Sequence, residues 1–212
     1  LRHPSNRSIG SNSRYGSNSG PIASPGNYNA SLYLEHNGKI SKLDGPIEFK
    51  VKPIREGVLK GVSFDEYNSY KNDLSAIQNQ VYEVNDLLKQ SLNKISDFKK
   101  ALSRIKINPG ELNSKIFKLE NTLREINLEI NGSDAKKQIG EKRSPTVQNR
   151  LSVAQRGLST TYGPTILHKK SMELALKSVK LIKPKIEKIY NEDIPKIKNA
   201  LINAGSPYLN IN

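Results

Sequence analysis

Four basic residues, Arg150, Arg156, Lys169 and Lys170, form the strongest candidate for a binding site in this sequence. They flank residues 157–165, where Gly, Tyr and Pro are typical of a defined turn rather than of a uniform coiled coil. Cationic side chains gathered at such a turn could hold a polyanion by displacing its counterions. The simpler interpretation, which the sequence favours, is that the chain crosses the end of a helical bundle here and caps it.

Patterns for catalysis or metal binding are not found. The three histidines, His3, His36 and His168, lie in different segments with no partner one helical turn away, and the chain has no Cys. Acids such as Glu192 and Asp193 stand near lysines on a predicted helix, where surface ion pairs are the ordinary role. No nucleophile-elbow Ser and no phosphate-binding Gly loop is present. The sequence therefore predicts a chain that is not an enzyme and needs no cofactor.

The net charge of +14 is unevenly distributed along the chain. Residues 1–62 hold 9 Lys and Arg against 4 acids, residues 63–131 hold 10 against 10, and residues 132–212 hold 15 against 6. The excess favours a well-solvated surface and leaves open a basic face for nucleic acid or anionic glycans. No apolar run is long enough to predict a membrane span.

The longest predicted element is an amphipathic helix from Ser63 to Ile105, which must position any site on this chain. Glu66 follows Ser63 by three residues and completes a capping box. The apolar positions alternate spacings of three and four: Tyr67, Tyr70, Leu74, Ile77, Val81, Val84 and Leu88. After Leu88 the spacing is expected to slip but to stay on a helical period, through Leu92, Ile95, Phe98, Leu102 and Ile105. Such a heptad seam requires a partner helix along its length.

Two further helices are predicted as its partners. The second follows the turn at residues 108–110, is shorter than the first, and has its seam at Leu112, Ile116, Leu119, Leu123, Ile126 and Ile130. The third runs from residue 164 or 165 to about 204, with a one-residue shift in its seam after Ile189. Pro184 and Pro195 are expected to kink or split it. A short helix within 145–158, with Val147, Leu151 and Ala154 inward, is predicted between the second and third helices.

Ahead of the helices, two stretches alternate apolar and polar residues as strands do. Tyr28, Ala30, Leu32 and Leu34 alternate in the first, and Ile47, Phe49 and Val51 in the second. The pair Asn37-Gly38 predicts a hairpin turn, whereas residues 1–26 resemble an irregular loop or tail. Because an isolated hairpin is marginally stable, these strands should complete a sheet with strands located upstream, on another chain, or against the helices.

The predicted fold is therefore mainly α, a three-helix antiparallel bundle with long coiled-coil-like helices. It is preceded by the β-hairpin end of an incomplete β-sandwich. The predicted organisation is 1–53 for the final part of an immunoglobulin-like sandwich, 54–62 for a linker, and 63–212 for the bundle.

Several short stretches resemble the C-terminal region of exported bacterial sortilin-like, BNR-repeat β-propellers, which are often labelled glycosyl hydrolase-like. The stretches are LRHP (1–4), GPIASPGNY (20–28), GPIEFKVKP (45–53), SPTVQNRL (144–151), GPT (163–165) and AGSPY (204–208). Residues 5–19 depart from that pattern, being rich in Ser and Asn where an apolar strand is expected. The resemblance implies that the propellers and the first part of the sandwich precede Leu1. The family's active residues would lie in the propellers.

The sequence and the resemblance together predict a noncatalytic C-terminal module of an exported β-propeller protein. Its helices would form a rigid arm for assembly or partner binding. The expected partners are the upstream propeller and sandwich body and a protein of a cell-envelope complex, in the periplasm, at the cell surface or outside the cell. One alternative is a basic helical module for nucleic acid or acidic polysaccharide, nucleic acid being the less favoured. The other is a support module for a glycosidase or peptidase whose active site lies upstream.

Overall fold

The computed structural model of this chain describes residues 2–4, 19–53, 59–105, 110–141 and 144–206. The strands are β1 (Arg2–Pro4), β2 (Ser19–Ile22), β3 (Gly26–His36) and β4 (Lys39–Val51). The helices are α1 (Phe64–Leu102), α2 (Leu112–Ile130), α3 (Asp134–Gln138), α4 (Val147–Arg156), α5 (Ile166–Lys188) and α6 (Ile194–Asn203). A 3₁₀ turn (Gly157–Ser159) follows α4, and a π-helical turn (Ile189–Asp193) joins α5 to α6. The predicted mainly α fold with a preceding hairpin is confirmed.

Helix α1 is the spine of the bundle, since its 39 residues span about 58 Å. Helix α2 returns antiparallel along the C-terminal half of α1, and its end lies beside Asn85, which accepts a hydrogen bond from Asn131 at 3.0 Å. Helix α4 continues in the same direction along the N-terminal half, where Tyr70 reaches the carbonyl of Ala154. The returning leg of the bundle is therefore split between α2 and α4.

The third leg, formed by α5, the π turn and α6, runs parallel to α1. Lys169 is paired with Glu66 near the start of both legs, and Lys183 Nζ lies 2.7 Å from Glu83 further along. Each contact joins residues about 100 positions apart in sequence, which is possible only if the two legs advance together. Legs that are consecutive in sequence are antiparallel, as predicted.

The π turn resolves a phase shift in the seam of the third leg. Ala175, Val179, Ile182, Ile186 and Ile189 are buried, and the next buried residue is Ile194, five positions on instead of three or four. The N–H of Ile194 donates to the carbonyl of Ile189, the i to i−5 bond of a π-helix. One extra residue is thereby absorbed, and the apolar face stays turned towards the bundle.

The helix is not split at Pro184, the stronger of the two outcomes expected there, because α5 continues through this residue to Lys188. Pro184 lies on the exposed side of the helix. There the carbonyl that loses its helical partner can be hydrated, so the helix is maintained. The interruption instead lies at the π turn, just before Pro195.

The core consists of the predicted seams. Buried members of the α1 and α2 seams are Tyr70, Leu74, Ile77, Val81, Val84, Leu88, Ile116, Leu123, Ile126 and Ile130. Tyr67, Leu112 and Leu119 are half-buried at the edge of the core. After Leu88 the predicted Ile95 and Phe98 are buried, but the slip at Leu92 is wrong, because buried Ser91 continues the regular spacing and Leu92 lies at the flank.

Regular structure occurs in a segment expected to be irregular and in a polar stretch for which no helix was predicted. Strand β2 falls within the predicted irregular tail and pairs antiparallel with β1, Arg2 opposite Ile22. The polar stretch after α2 contains the short helix α3, which Ser133 caps by accepting the N–H of Lys136 at 3.4 Å. Periodicity could not reveal either element, because neither carries an alternating or helical apolar pattern.

Candidate functional site

The β-segment is fastened to the bundle at the end where α1 begins. The N–H of Val62 donates to the carbonyl of Tyr162 at 2.9 Å. On the other side, buried Ser24 donates through Oγ to Asn68 Oδ1 on α1 at 2.6 Å. The segment that enters α1 therefore meets the turn after α4, and the first turns of α1 meet the residues that precede β3. We call this region, formed by residues 22–25, 61–68 and 157–165, the joint.

Two tyrosines of α1 hold the descending chain against the joint. The hydroxyl of Tyr70 donates to the carbonyl of Ala154 at 2.7 Å, and that of Tyr67 donates to the carbonyl of Leu158 at 2.9 Å. Burial raises the pKa of Tyr70 to about 12 and also raises the pKa of Tyr67. Both phenols therefore stay protonated and keep donating at neutral pH, which suits a structural role.

The joint is packed tightly enough to require glycine. Gly163 has φ +89°, and a Cβ placed on it would lie 2.1 Å from Cγ2 of Val62. A Cβ on Gly61 would come within 3.0 Å of the backbone oxygen of Tyr162. The backbones of the two segments thus approach each other as closely as residues without side chains permit. The prediction of a specified turn that caps the bundle end is consistent with this packing, although residues 150–156 belong to the leg formed by α4.

The hairpin formed by β3 and β4 extends from the joint and has an apolar face. The antiparallel register places Tyr28 opposite Phe49 and Ala30 opposite Ile47. The rings of Tyr28 and Phe49 stack with centroids 5.9 Å apart. Side chains alternate between the two faces of a strand, so Leu32 and Leu34 share this face. The predicted apolar residues of both strands are therefore brought together. We call them the hairpin face: Tyr28, Ala30, Leu32, Leu34, Ile47, Phe49 and Val51.

The hairpin face is not covered by the described part of the chain. Leu32 is 59% exposed, Ile47 61%, Leu34 48% and Phe49 37%. Within the described residues β3 pairs with β4 alone, so each strand has a free outer edge. Large apolar side chains that share an exposed surface mark an interaction site, and a free strand edge offers unpaired backbone groups to another strand. Of the three arrangements expected for the hairpin, packing against the described helices is wrong.

Two of the four predicted polyanion contacts are paired with acids in the structure. Lys169 is paired with Glu66, and Lys170 Nζ lies 2.9 Å from Glu173. Arg150 and Arg156 are on α4, six residues apart, so they point about 120° away from each other around the helix. The two lysines are thus matched by acids, and the two arginines face different directions.

Ion pairs at two positions fix how the legs lie against each other. Glu120 on α2 accepts hydrogen bonds from Arg124 and from Lys99 of α1, and these bonds lower the pKa of its carboxyl. On the opposite side, the hydrogen bond from Lys183 to Glu83 raises the pKa of that ammonium. Glu120 and Lys183 therefore stay charged around neutral pH, and the two pairs link α1 to each of its two neighbouring legs.

The remaining polar candidates have structural roles. His168 Nδ1 accepts the N–H of Thr165 at 3.1 Å and so caps α5. Among the described residues, no three His, Cys, Asp or Glu side chains meet as a metal site requires. Within the same residues, no helix combines the length and apolar character needed to cross a membrane.

Open depressions occur on the surface of the described residues, and two of them contain apolar residues beside polar ones. One, of about 600 Å³, lies between α2 and α6 and mixes apolar residues such as Leu119 and Ile197 with lysines and acids. The other, of about 320 Å³, lies at the joint and is lined by residues of all three joint segments. Neither brings together groups that would act as a nucleophile, a general base or a phosphate cradle.

Comparison with known proteins adds no relative, since no protein-family model, no curated protein and no solved structure matches this chain.

Proposed function

We propose that this chain is a noncatalytic C-terminal structural and docking module of an exported β-propeller protein. The bundle acts as a rigid arm, and the hairpin joins that arm to an upstream immunoglobulin-like β-domain. The observation that carries the proposal is the hairpin face, which stays exposed although the base of the hairpin is fixed to the bundle at the joint.

The arrangement of the bundle supports the role of an arm. A continuous helix of 39 residues is braced on its C-terminal half by α2 and on its N-terminal half by α4. The third leg packs alongside α1, with hydrogen bonds to it from Glu66 to Gln90. With its seams buried in this way, α1 has no large apolar face left for a second copy of itself. A force on the joint, or a rotation of the joint, is thus transmitted along the whole bundle.

The parent protein and its location follow from the sequence resemblance. Exported propeller proteins of this type have an immunoglobulin-like domain before a helical region. The last two strands of such a sandwich, without its other strands, would form a hairpin with an exposed apolar face. The module then acts in the periplasm, at the cell surface or outside the cell, where it docks the parent protein in a cell-envelope complex.

Substitutions on the hairpin face test the proposal. Leu32→Ser combined with Ile47→Ser should change the free energy of unfolding of this chain by less than about 0.5 kcal/mol, because the face contacts no described helix. In a chain extended by the residues that precede Leu1 in its reading frame, the same pair should cost about 4 kcal/mol or more, because both side chains become buried. Denaturant unfolding followed by circular dichroism measures both.

The matched control is Tyr33→Ser with Ile40→Ser, which removes similarly exposed apolar side chains from the opposite face. This pair of substitutions should change the free energy of unfolding little, both in this chain and in the extended chain. Equal effects of the two pairs in the extended chain, or a reading frame that begins just upstream of Leu1, would rule the proposal out.

A further inference from the structure

The basic charge of the bundle is concentrated on one pair of packed helices. Helices α1 and α2 together carry eight Lys and Arg against nine Asp and Glu, whereas α4 and α5 carry nine against two. Helices α4 and α5 pack against each other. The fold therefore collects a net charge of +7 on one side of the bundle and leaves the other side nearly neutral.

Six basic residues of α4 and α5 form no ion pair with a described acid: Arg150 and Arg156 on α4, and four lysines of α5. Lys177, Lys180, Lys185 and Lys188 are exposed, and none of them forms an ion pair with a described acid. They differ in this from Lys183 of the same helix, which is paired with Glu83. We call these four residues the lysine ridge.

The lysine ridge points directly away from the core. At about 100° per residue, its four members fall within an arc of about 140°. The centre of that arc is opposite to buried Ala175, Val179, Ile182 and Ile186. The ridge extends about 16 Å along the helix axis. It is thus a convex band of exposed lysines on the outer side of α5.

We infer that the lysine ridge binds a linear acidic polysaccharide. A row of unpaired ammonium groups attracts a polymer with regularly spaced anionic groups, because binding releases the counterions of the polymer. The binding needs no pocket, since a flexible polymer can follow a convex row.

The chemistry of the ridge favours an acidic polysaccharide over nucleic acid. Helix α5 has no Arg, so it lacks the planar fork that recognises phosphate with two parallel hydrogen bonds. It also has no aromatic residue on which an unpaired base could stack. Its ammonium groups act as point charges, which suits carboxylate or sulfate groups along a sugar chain.

Binding of a fluorescent polygalacturonate to the full 212-residue chain tests the inference. Replacing all four lysines of the ridge with Gln should weaken binding at low salt by about tenfold or more. The matched control replaces four exposed, unpaired lysines scattered over the rest of the chain, Lys60, Lys89, Lys118 and Lys137, and so removes the same charge. That variant should lose less than about threefold, because it lowers only the overall potential.

Circular dichroism of both variants checks that the bundle stays folded, as exposed Lys to Gln changes should allow. Equal weakening by the two variants, or no binding by the unaltered chain at low salt, would overturn the inference. Tighter binding to a duplex DNA than to polygalacturonate would also overturn it in favour of nucleic acid. Since none of these lysines lies on the hairpin, the result is independent of the role proposed for the hairpin face.

Discussion

Deleting Leu181 should cost more than about 5 kcal/mol and unfold the third leg of the bundle. The deletion removes an outward-facing side chain that is 59% exposed, so its own contacts are a small part of the loss. Its effect arises because every later residue rotates by about 100° around the helix axis. Ile182 and Ile186, both fully buried, would then leave the core. Urea unfolding followed by far-ultraviolet circular dichroism measures the loss.

Deleting Asn191 is the matched control, because this exposed residue lies inside the π turn. The deletion shortens the step from Ile189 to Ile194 from five residues to four, which restores the regular seam spacing. The helix can then continue as an α-helix with the same residues inward, so the cost should stay within about 1 kcal/mol. If both deletions were equally damaging, the π turn would not be the device that corrects the seam.

The substitution Gly163→Ala should destabilise the chain by about 3 kcal/mol, the largest effect expected for a single added methyl group. Two causes combine at this position. The backbone φ of +89° is unfavourable for alanine, and the new Cβ would lie 2.1 Å from Val62 Cγ2. Urea unfolding would give the change in free energy, and its midpoint should fall without loss of helicity in the folded state.

Two controls separate these causes. Gly140→Ala adds a methyl group at φ +69° with no atom within 4 Å, so it should cost only about 1 kcal/mol of backbone strain. Combining Gly163→Ala with Val62→Ala removes the clashing methyl groups, so the double variant should recover part of the loss attributable to the clash. A Gly163→Ala variant no less stable than Gly140→Ala would contradict the close packing of the joint.

The bundle was predictable because its core residues recur at regular intervals of three and four along the sequence. The alternation from Tyr70 to Leu88 and the one-residue shift after Ile189 both appear in the structure as buried rows. Ser63 accepts the N–H of Glu66, as its position before the seam indicated. Ser91 was missed because a polar residue occupies the seam there, and an apolar pattern directs attention to the neighbouring Leu92.

The joint and the hairpin face were only partly predictable. Gly163 and Tyr162 indicated a defined turn, but their contact with Val62 joins segments about 100 residues apart, which no local pattern encodes. The alternation of Leu32 and Leu34 predicted a face with apolar residues, and the register confirms that β4 contributes to the same face. Their exposure could not be predicted, because alternation indicates that one face is to be buried without saying which element buries it.

The lysine ridge illustrates the same limit for charge. The excess of basic residues after residue 132 was evident, but the candidate contacts chosen from sequence included Lys169 and Lys170. Both have acids within reach in the fold, Glu66 and Glu173. Lys177 and Lys188 remain unmatched because they face outward from α5. Which charges are neutralised depends on the neighbouring leg, and sequence order does not give that information.

Amide hydrogen exchange on this chain and on the chain extended upstream tests the central claim most directly. In this chain the amides of β3 and β4 should exchange much faster than those of Leu88 or Ile182, because a two-stranded hairpin without a cover is marginally stable. In the extended chain, protection of the hairpin should rise towards that of the bundle. A hairpin as strongly protected as the bundle in this chain alone, or one that gains no protection in the extended chain, would contradict the account.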